Sequence, residues 1–193
     1  MKYLICSDIH GSLKSCKKIL TAFKSHNCNK IIILGDILYH GPRNPIPEEY
    51  NPKQVAIELN NFADRILSCR GNCDAEVDQM VLNFNNREDY IKIDDGKFTL
   101  FCTHGHIYAP ALNNGDNPPG CESAKTIIVK PDTFYFYGHT HITVLEKNQN
   151  GNIICNPGSP TLPKDNKHGC YAIFENGKVS VYNWNDEIIG ELQ

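Results

Sequence analysis

Apolar residues in this chain gather into short runs divided by polar turns, and the character of the runs changes about halfway along. In the first half, KYLIC (2–6) and KIIIL (30–34) are continuous apolar runs of strand length, the pattern of strands covered on both faces. Between them, GSLKSCKKILTAFKSH (11–26) repeats apolar positions at helical spacing, with Leu13, Cys16, Ile19, Leu20 and Phe23 on one stripe. Strand, helix and strand in that order predict a βαβ unit. A second helix is predicted from Pro52 to Ala63, with proline in its first turn and Val55, Leu59 and Phe62 on one side. RILSC (65–69) follows as the next strand.

From Tyr90 onward the runs are shorter and the turns tighter. YIKID (90–94), the dipeptide DG and KFTLFC (97–102) predict a hairpin. FYFYG, TVLEK and NIICN come next, with NQNG as the turn between the last two, and GCYAIF and KVSVYNW close the chain as two strands across ENG. An α/β half joined to an antiparallel half predicts two sheets packed face to face and flanked by helices, in one domain spanning residues 1–193. Two proline-bearing stretches break the rhythm: YHGPRNPIPEEYNP (39–52) and IYAPALNNGDNPPG (107–120) read as irregular loops. Loops of that length inside a compact domain are commonly functional.

Charge narrows the classes of partner. A net charge of -3 and the lack of any run of five like charges disfavour an extended nucleic-acid partner, while leaving a small phosphate ligand open. The apolar runs fall far short of the roughly 20 residues a membrane span needs, and MKYLICSD reaches an acid at once, so neither a signal peptide nor a membrane anchor is expected. The nine cysteines are odd in number, contain no CxxC, and include Cys6, Cys69, Cys102 and Cys155 in or beside strand-like runs. They predict buried free thiols in a cytoplasmic protein rather than a disulfide framework or a zinc ribbon.

Chemistry concentrates where the strands end. YLIC runs into SDIHG, IIIL into GDI, RILSC into RGNCD, FTLFC into THGH and FYFY into GHTH. Ligands of open α/β sheets collect just beyond the carboxyl ends of strands, so the five motifs can converge on one site. Asp8, His10, Asp36, Asn72, His104, His139 and His141 offer carboxylate oxygen, amide oxygen and imidazole nitrogen, a mixture suited to manganese, iron, zinc or nickel. In DIH and HTH the paired side chains stand two residues apart and would point the same way in an extended segment. Seven ligands exceed the needs of one ion, so two ions are the economical reading. A pair roughly 3.5 to 4 Å apart can clamp a phosphate ester and share a bridging hydroxide that attacks phosphorus in line.

The ordered series DIH, GD, GNCD, THGH and GHTH, covering Asp8 to His141, resembles the calcineurin-like metallophosphoesterases. NPGSP (156–160) is similar to the tail motif of their small bacterial and archaeal members, and YHGPRNP with GNCD most resembles the YfcE-type phosphodiesterases. The resemblance implies a four-layer αββα sandwich with two metals at the strand ends. It implies that Asp8, His10 and His141 hold one ion, that Asn72, His104 and His139 hold the other, and that Asp36 bridges them. It also implies manganese as the usual activator, with nickel, iron or zinc as alternatives.

Asp36, Asn72, Cys73 and His104 are the residues expected at the reaction itself. Asn72 can ligate through its amide oxygen while its NH2 donates to a phosphate oxygen, and a second carboxylate there would repel the substrate. Cys73 departs from the wider family, which often has a histidine in this slot to assist the departing oxygen; a thiol is a weaker donor with no cationic form. That departure points to small phosphodiesters over monoesters. Arg43, Arg70 and His106 are candidate phosphate contacts, with ion pairing or solvation as the competing reading for both arginines and turn capping for His106. Asp74 is a candidate to orient a ligand from behind. The rivals are a phosphomonoesterase or nucleotide pyrophosphatase of the same fold, and a protein-binding scaffold like the retromer subunit that shares the fold but has lost most ligands. An exposed strand edge or apolar loop would support a homodimer or higher homo-oligomer.

Overall fold

The computed structural model describes residues 1–112, 115–127 and 131–193. Parallel strands β1 (Lys2–Cys6), β2 (Lys30–Ile33) and β3 (Ile66–Ser68) form one half of the first sheet. Helix α1 (Leu13–Ser25) connects β1 to β2, and α2 (Pro52–Asn60) precedes β3. Ser12 caps α1 by accepting from the Ser15 N–H, and Asn51 caps α2 by accepting from Gln54. Each cap satisfies one of the donors that a helix N-terminus leaves over. The predicted α2 ends early, at Asn60, and the chain tightens into a 3-10 turn at Ala63–Arg65.

The second sheet is built from β4 (Tyr90–Asp94), β5 (Thr99–Thr103), β8 (Thr133–Phe136), β9 (Val144–Lys147) and β10 (Ile153–Asn156), in the order β4-β5-β8-β10-β9. Its centre, β5-β8-β10, is parallel, while β4 and β9 run antiparallel at the edges. Strands β11 (Gly169–Glu175), β12 (Lys178–Asn183) and β13 (Ile188–Leu192) return to the first sheet, where β11 pairs antiparallel with β1. The result is a mixed α/β sandwich of two sheets, the arrangement the sequence resemblance implies.

Strand alternation sorts the core. Leu4, Cys6, Ile31, Ile33 and Ile173 face α1 and α2, whereas Tyr3, Ile5, Ile32, Ala172 and Phe174 meet Leu100, Phe134, Phe136 and Cys155 between the sheets. On the far face of the second sheet, Tyr135, Tyr137 and Ile154 pack against Ala109, Cys121 and Ala124. That outer layer, among the described residues, is a parallel ladder of β6 (Tyr108–Pro110) and β7 (Lys125–Ile127) with its connecting chain. The stretch 107–120 therefore opens on a strand rather than a loop, because the β7 backbone gives it a ladder partner; residues 113–114 of that stretch lie outside the described residues. The 39–52 stretch is irregular as expected, apart from a bridge between Ser12 and Tyr50.

Candidate metal centre

The ends of β1, β2, β3, β5 and β8 deliver the five motifs to one side of the sandwich. The loop after β1 lies along the loop after β2, with the N–H groups of Asp8, His10 and Gly11 donating to the carbonyls of Gly35, Asp36 and Ile37 at 3.1, 2.9 and 2.8 Å. Convergence is achieved differently from the extended geometry expected of DIH and HTH. Asp8, His10, Asp36, His139 and His141 all have φ between 49° and 69°, the left-handed region that non-glycine residues seldom enter. The chain turns sharply at every one of these side chains, and such backbone strain is concentrated where a site demands it.

Asp8, His10 and His141 form the first cluster and are buried. Nδ1 of His10 donates to the Tyr39 carbonyl at 2.8 Å, and Nδ1 of His141 donates to the Leu162 carbonyl at 2.8 Å. Because a carbonyl can only accept, each neutral ring carries its proton on Nδ1 and turns the bare Nε2 inward. The two Nε2 atoms face each other at 3.1 Å, and Nε2 of His141 stands 3.2 Å from Asp8 Oδ1, a buried oxygen without a hydrogen-bond donor. Three acceptors thus face one buried space, an arrangement that costs free energy unless a cation fills it.

Asp36 joins this cluster to a second. Its Oδ2 is 3.7 Å from His10 Nε2 and its Oδ1 is 3.5 Å from His104 Nε2. His104 donates through Nδ1 to the Leu34 carbonyl at 2.7 Å, leaving Nε2 to face Asn72 Oδ1 at 3.0 Å. Here too acceptors converge, although Asp36 Oδ1 also accepts from the Cys73 N–H at 2.8 Å. The His139 ring lies 5.1 Å from that of His104, and its backbone N–H donates to Asp8 Oδ2 at 3.0 Å.

Titration behaviour tells the same story. Burial works against the charge of Asp8, but His141 and His10 hold its carboxyl well below the usual carboxylate range. Burial likewise opposes, and His104 reverses, the shift at Asp36, which also falls. Burial disfavours an imidazolium at His104, yet Asp36 and Asp8 push it up to about 10, and His10 is raised for the same reason. Both clusters attract positive charge. Burial and the neighbouring His104 bring His106 and His139 down to about 4, so both are neutral at pH 7.

Asp74 fixes the frame. Its carboxylate accepts from the N–H groups of Asp36, Ile37 and Gly71 at 2.8, 2.8 and 2.7 Å, which ties the β2 loop to the β3 loop. Close approach there requires a glycine: a methyl on Gly71 would stand 2.0 Å from Asp36 Oδ1 and 2.4 Å from Asp36 N. Gly71→Ala is therefore expected to cost about 1–3 kcal/mol of stability, as overpacking does, and to weaken metal binding. Thermal melting and a manganese titration check this; values matching the native protein for both would contradict it.

A cleft of about 1020 Å³ opens over the clusters, with Asp36, Asn72, Cys73, His139 and His141 on its wall. The Cys73 thiol is held neutral, above all by burial and then by Asp36, and its Sγ accepts from Asn72 Nδ2 at 3.3 Å. It lies within 4.8 Å of ligand atoms of His10 and Asp36. Arg43 lines the cleft as well. Arg70 does not: its guanidinium donates to Asp89 at 2.7 Å, the ion pair of the competing reading. His106 sits behind His104 and His139, with ring centroids 5.2 and 6.2 Å away, and is not among the cleft residues. Lys164, in the chain segment after NPGSP, also lines the cleft and had no signal in the sequence.

The calcineurin-like phosphoesterase superfamily domain matches residues 1–178. The chain belongs to that superfamily. Phosphodiesterase YfcE of Escherichia coli strain K12 is 40% identical over 190 residues, which cover 98% of this chain and 95% of the relative. The solved structure of YfcE, described as a phosphoesterase from E. coli, matches with a TM-score of 0.88 and 35% identity over 100% of this chain and 98% of that one. Wild-type Vps29 complexed with zinc from Entamoeba histolytica matches at 16% identity and a TM-score of 0.60, covering 100% and 98% of the two chains, a likeness of fold alone. This superfamily member is an enzyme, a phosphoesterase, and its buried Asp and His clusters are candidate metal ligands.

Proposed function

We propose that this chain, as one domain over residues 1–193, hydrolyses phosphodiester bonds with two divalent metal ions. Asp8, His10 and His141 hold the first ion, Asn72, His104 and His139 the second, and Asp36 touches both. The observation that carries this reading is the convergence of the His10, His141 and His104 Nε2 atoms on Asp8 and Asp36 oxygens, where Asp8 Oδ1 has no hydrogen-bond donor. When bound, the ions supply Lewis acidity and a bridging hydroxide for in-line attack.

The protein's own groups do the rest. The Tyr39, Leu162 and Leu34 carbonyls fix the tautomers of His10, His141 and His104, so each ring presents its lone pair without rearranging. Asn72 keeps the substrate face free of a further negative charge while its NH2 points toward the cleft wall at Cys73. The neutral Cys73 thiol offers a departing oxygen a weak donor, which favours diesters with acidic leaving groups. Kinship with phosphodiesterase YfcE supports the diester class, and mixed N/O donors support manganese, with nickel, iron and zinc as further candidates. Nine free thiols support a reducing, cytoplasmic setting, and no described helix is long and apolar enough to cross a membrane.

Hydrolysis of bis(p-nitrophenyl) phosphate with manganese, set against p-nitrophenyl phosphate, tests the proposal. Faster diester turnover is expected; equal or faster monoester turnover would overturn the preference. Chelation should also destabilise the fold. At free metal 100-fold above Kd, bound metal contributes about 2.7 kcal/mol, roughly 5–10 °C of melting temperature for a chain of this size. Melting curves that coincide with and without chelator would contradict metal binding at the clusters.

A further inference from the structure

Arg43 and Lys164 are cations of the cleft that the metal centre does not use. Both are exposed, and among the described residues neither has a carboxylate partner. Two acids near them in the chain, Glu48 and Asp165, are engaged elsewhere. Glu48 pairs with Lys14 at 2.8 Å, and Asp165 accepts from the backbone N–H groups of Thr143 and His168. Asp74, on the cleft wall, is saturated by three backbone donors.

Their placement is built in. His10 donates to the Tyr39 carbonyl, and Asn44 Nδ2 donates to the His40 carbonyl at 2.8 Å, closing the turn that carries Arg43. Gly41 lies against Cys73, with its missing Cβ 2.8 Å from Sγ. At the other segment, the Lys164 N–H donates to the His141 carbonyl at 3.0 Å while His141 Nδ1 donates to Leu162. Ser159 and Thr161 fasten the same segment to the carbonyls of Asp8 and Ile9, each at 2.8 Å. Both cations therefore ride on segments anchored to ligands of the first ion.

Charge counting gives them a purpose. Two divalent ions balance Asp8, Asp36, a hydroxide and the single negative charge of a diester, so the reacting phosphate needs no further cation. Two unpaired cations beside a balanced centre match a second anionic group on the substrate. We infer that Arg43 and Lys164 form an anion subsite that takes a phosphate carried on one arm of the diester. This rests on the diester reading above, and it specifies a substrate class: a phosphodiester bearing an additional phosphate.

The test compares the p-nitrophenyl ester of thymidine 5′-phosphate with the same ester carrying a 3′-phosphate, using the manganese-loaded protein and the Arg43→Ala/Lys164→Ala double variant. The added phosphate should raise kcat/KM about tenfold in the native protein, chiefly through KM, as two partly exposed charge pairs would, and the double variant should bring the ratio near one. A ratio near one in the native protein, or an undiminished ratio in the variant, overturns the subsite. If the native protein hydrolyses neither ester, the diester reading fails. Calorimetric titration with thymidine 3′,5′-bisphosphate against thymidine 5′-phosphate then decides the subsite without turnover: about tenfold tighter binding of the bisphosphate, lost in the variant, supports it, and equal binding overturns it.

Discussion

Asp36→Asn is expected to weaken manganese binding by at least about 100-fold, since even residues that only support a metal ligand cost 10–100-fold when changed, and to take diester turnover below detection. The substitution keeps the shape of the side chain. Its remaining oxygen can still accept from the Cys73 N–H, as Oδ1 does now at 2.8 Å. What changes is the oxygen 3.7 Å from His10 Nε2, which becomes an NH2 group, a donor where the centre needs an acceptor. The amide also removes one of the two carboxylate charges in the middle of the clusters. Because that NH2 can satisfy the lone pair of His10, the variant should fold as well as the native chain. Loss of metal with an unchanged melting temperature of the metal-free protein would separate ligation from packing; full manganese-dependent turnover would refute the assignment of Asp36.

Cys73→His is expected to raise monoester hydrolysis relative to diester hydrolysis by about tenfold or more, a part of the roughly 10²–10⁴ that a positioned general acid contributes. The thiol is a poor acid here. Burial and Asp36 hold it neutral, and its nearest donor, Asn72 Nδ2, points at it rather than receiving from it. An imidazole in the same place has a donor matched to neutral pH and lies beside the two carboxylates that favour its cationic form. Gly41, itself on the cleft wall, lies against the Cys73 sulfur, so the larger ring has the open cleft to turn into. For the same leaving alcohol, the loose transition state of a monoester places more charge on the departing oxygen, so it gains most from such help. No change in the monoester-to-diester ratio, in a variant that melts normally, would leave Cys73 as a packing residue.

The strand ends were legible because continuous apolar runs such as IIIL and FYFY announce where a buried strand stops, and the polar residues that follow must then lie at the sheet's end. How those residues reach one another was not legible. DIH looks extended by its spacing, but the left-handed turns at Asp8 and His10 come from hydrogen bonds to the loop after β2, a partner distant in sequence. Long-range partners explain the other surprises. Arg70 is claimed by Asp89, β6 exists because β7 lies beside it, and β13 is a strand because β12 offers it an edge despite Gly190 and its acids. Lys164 enters the cleft because Ser159 and Thr161 pin its segment to the β1 loop. None of those contacts has a local signature.

The most direct test of the central claim is the manganese stoichiometry of the native protein, read by calorimetric titration and elemental analysis of the same sample. Two ions per chain, with neither reaching full occupancy in Asp36→Asn, is the result the proposed function predicts. A native protein that binds no manganese, or an Asp36→Asn variant that still binds two ions, would contradict it.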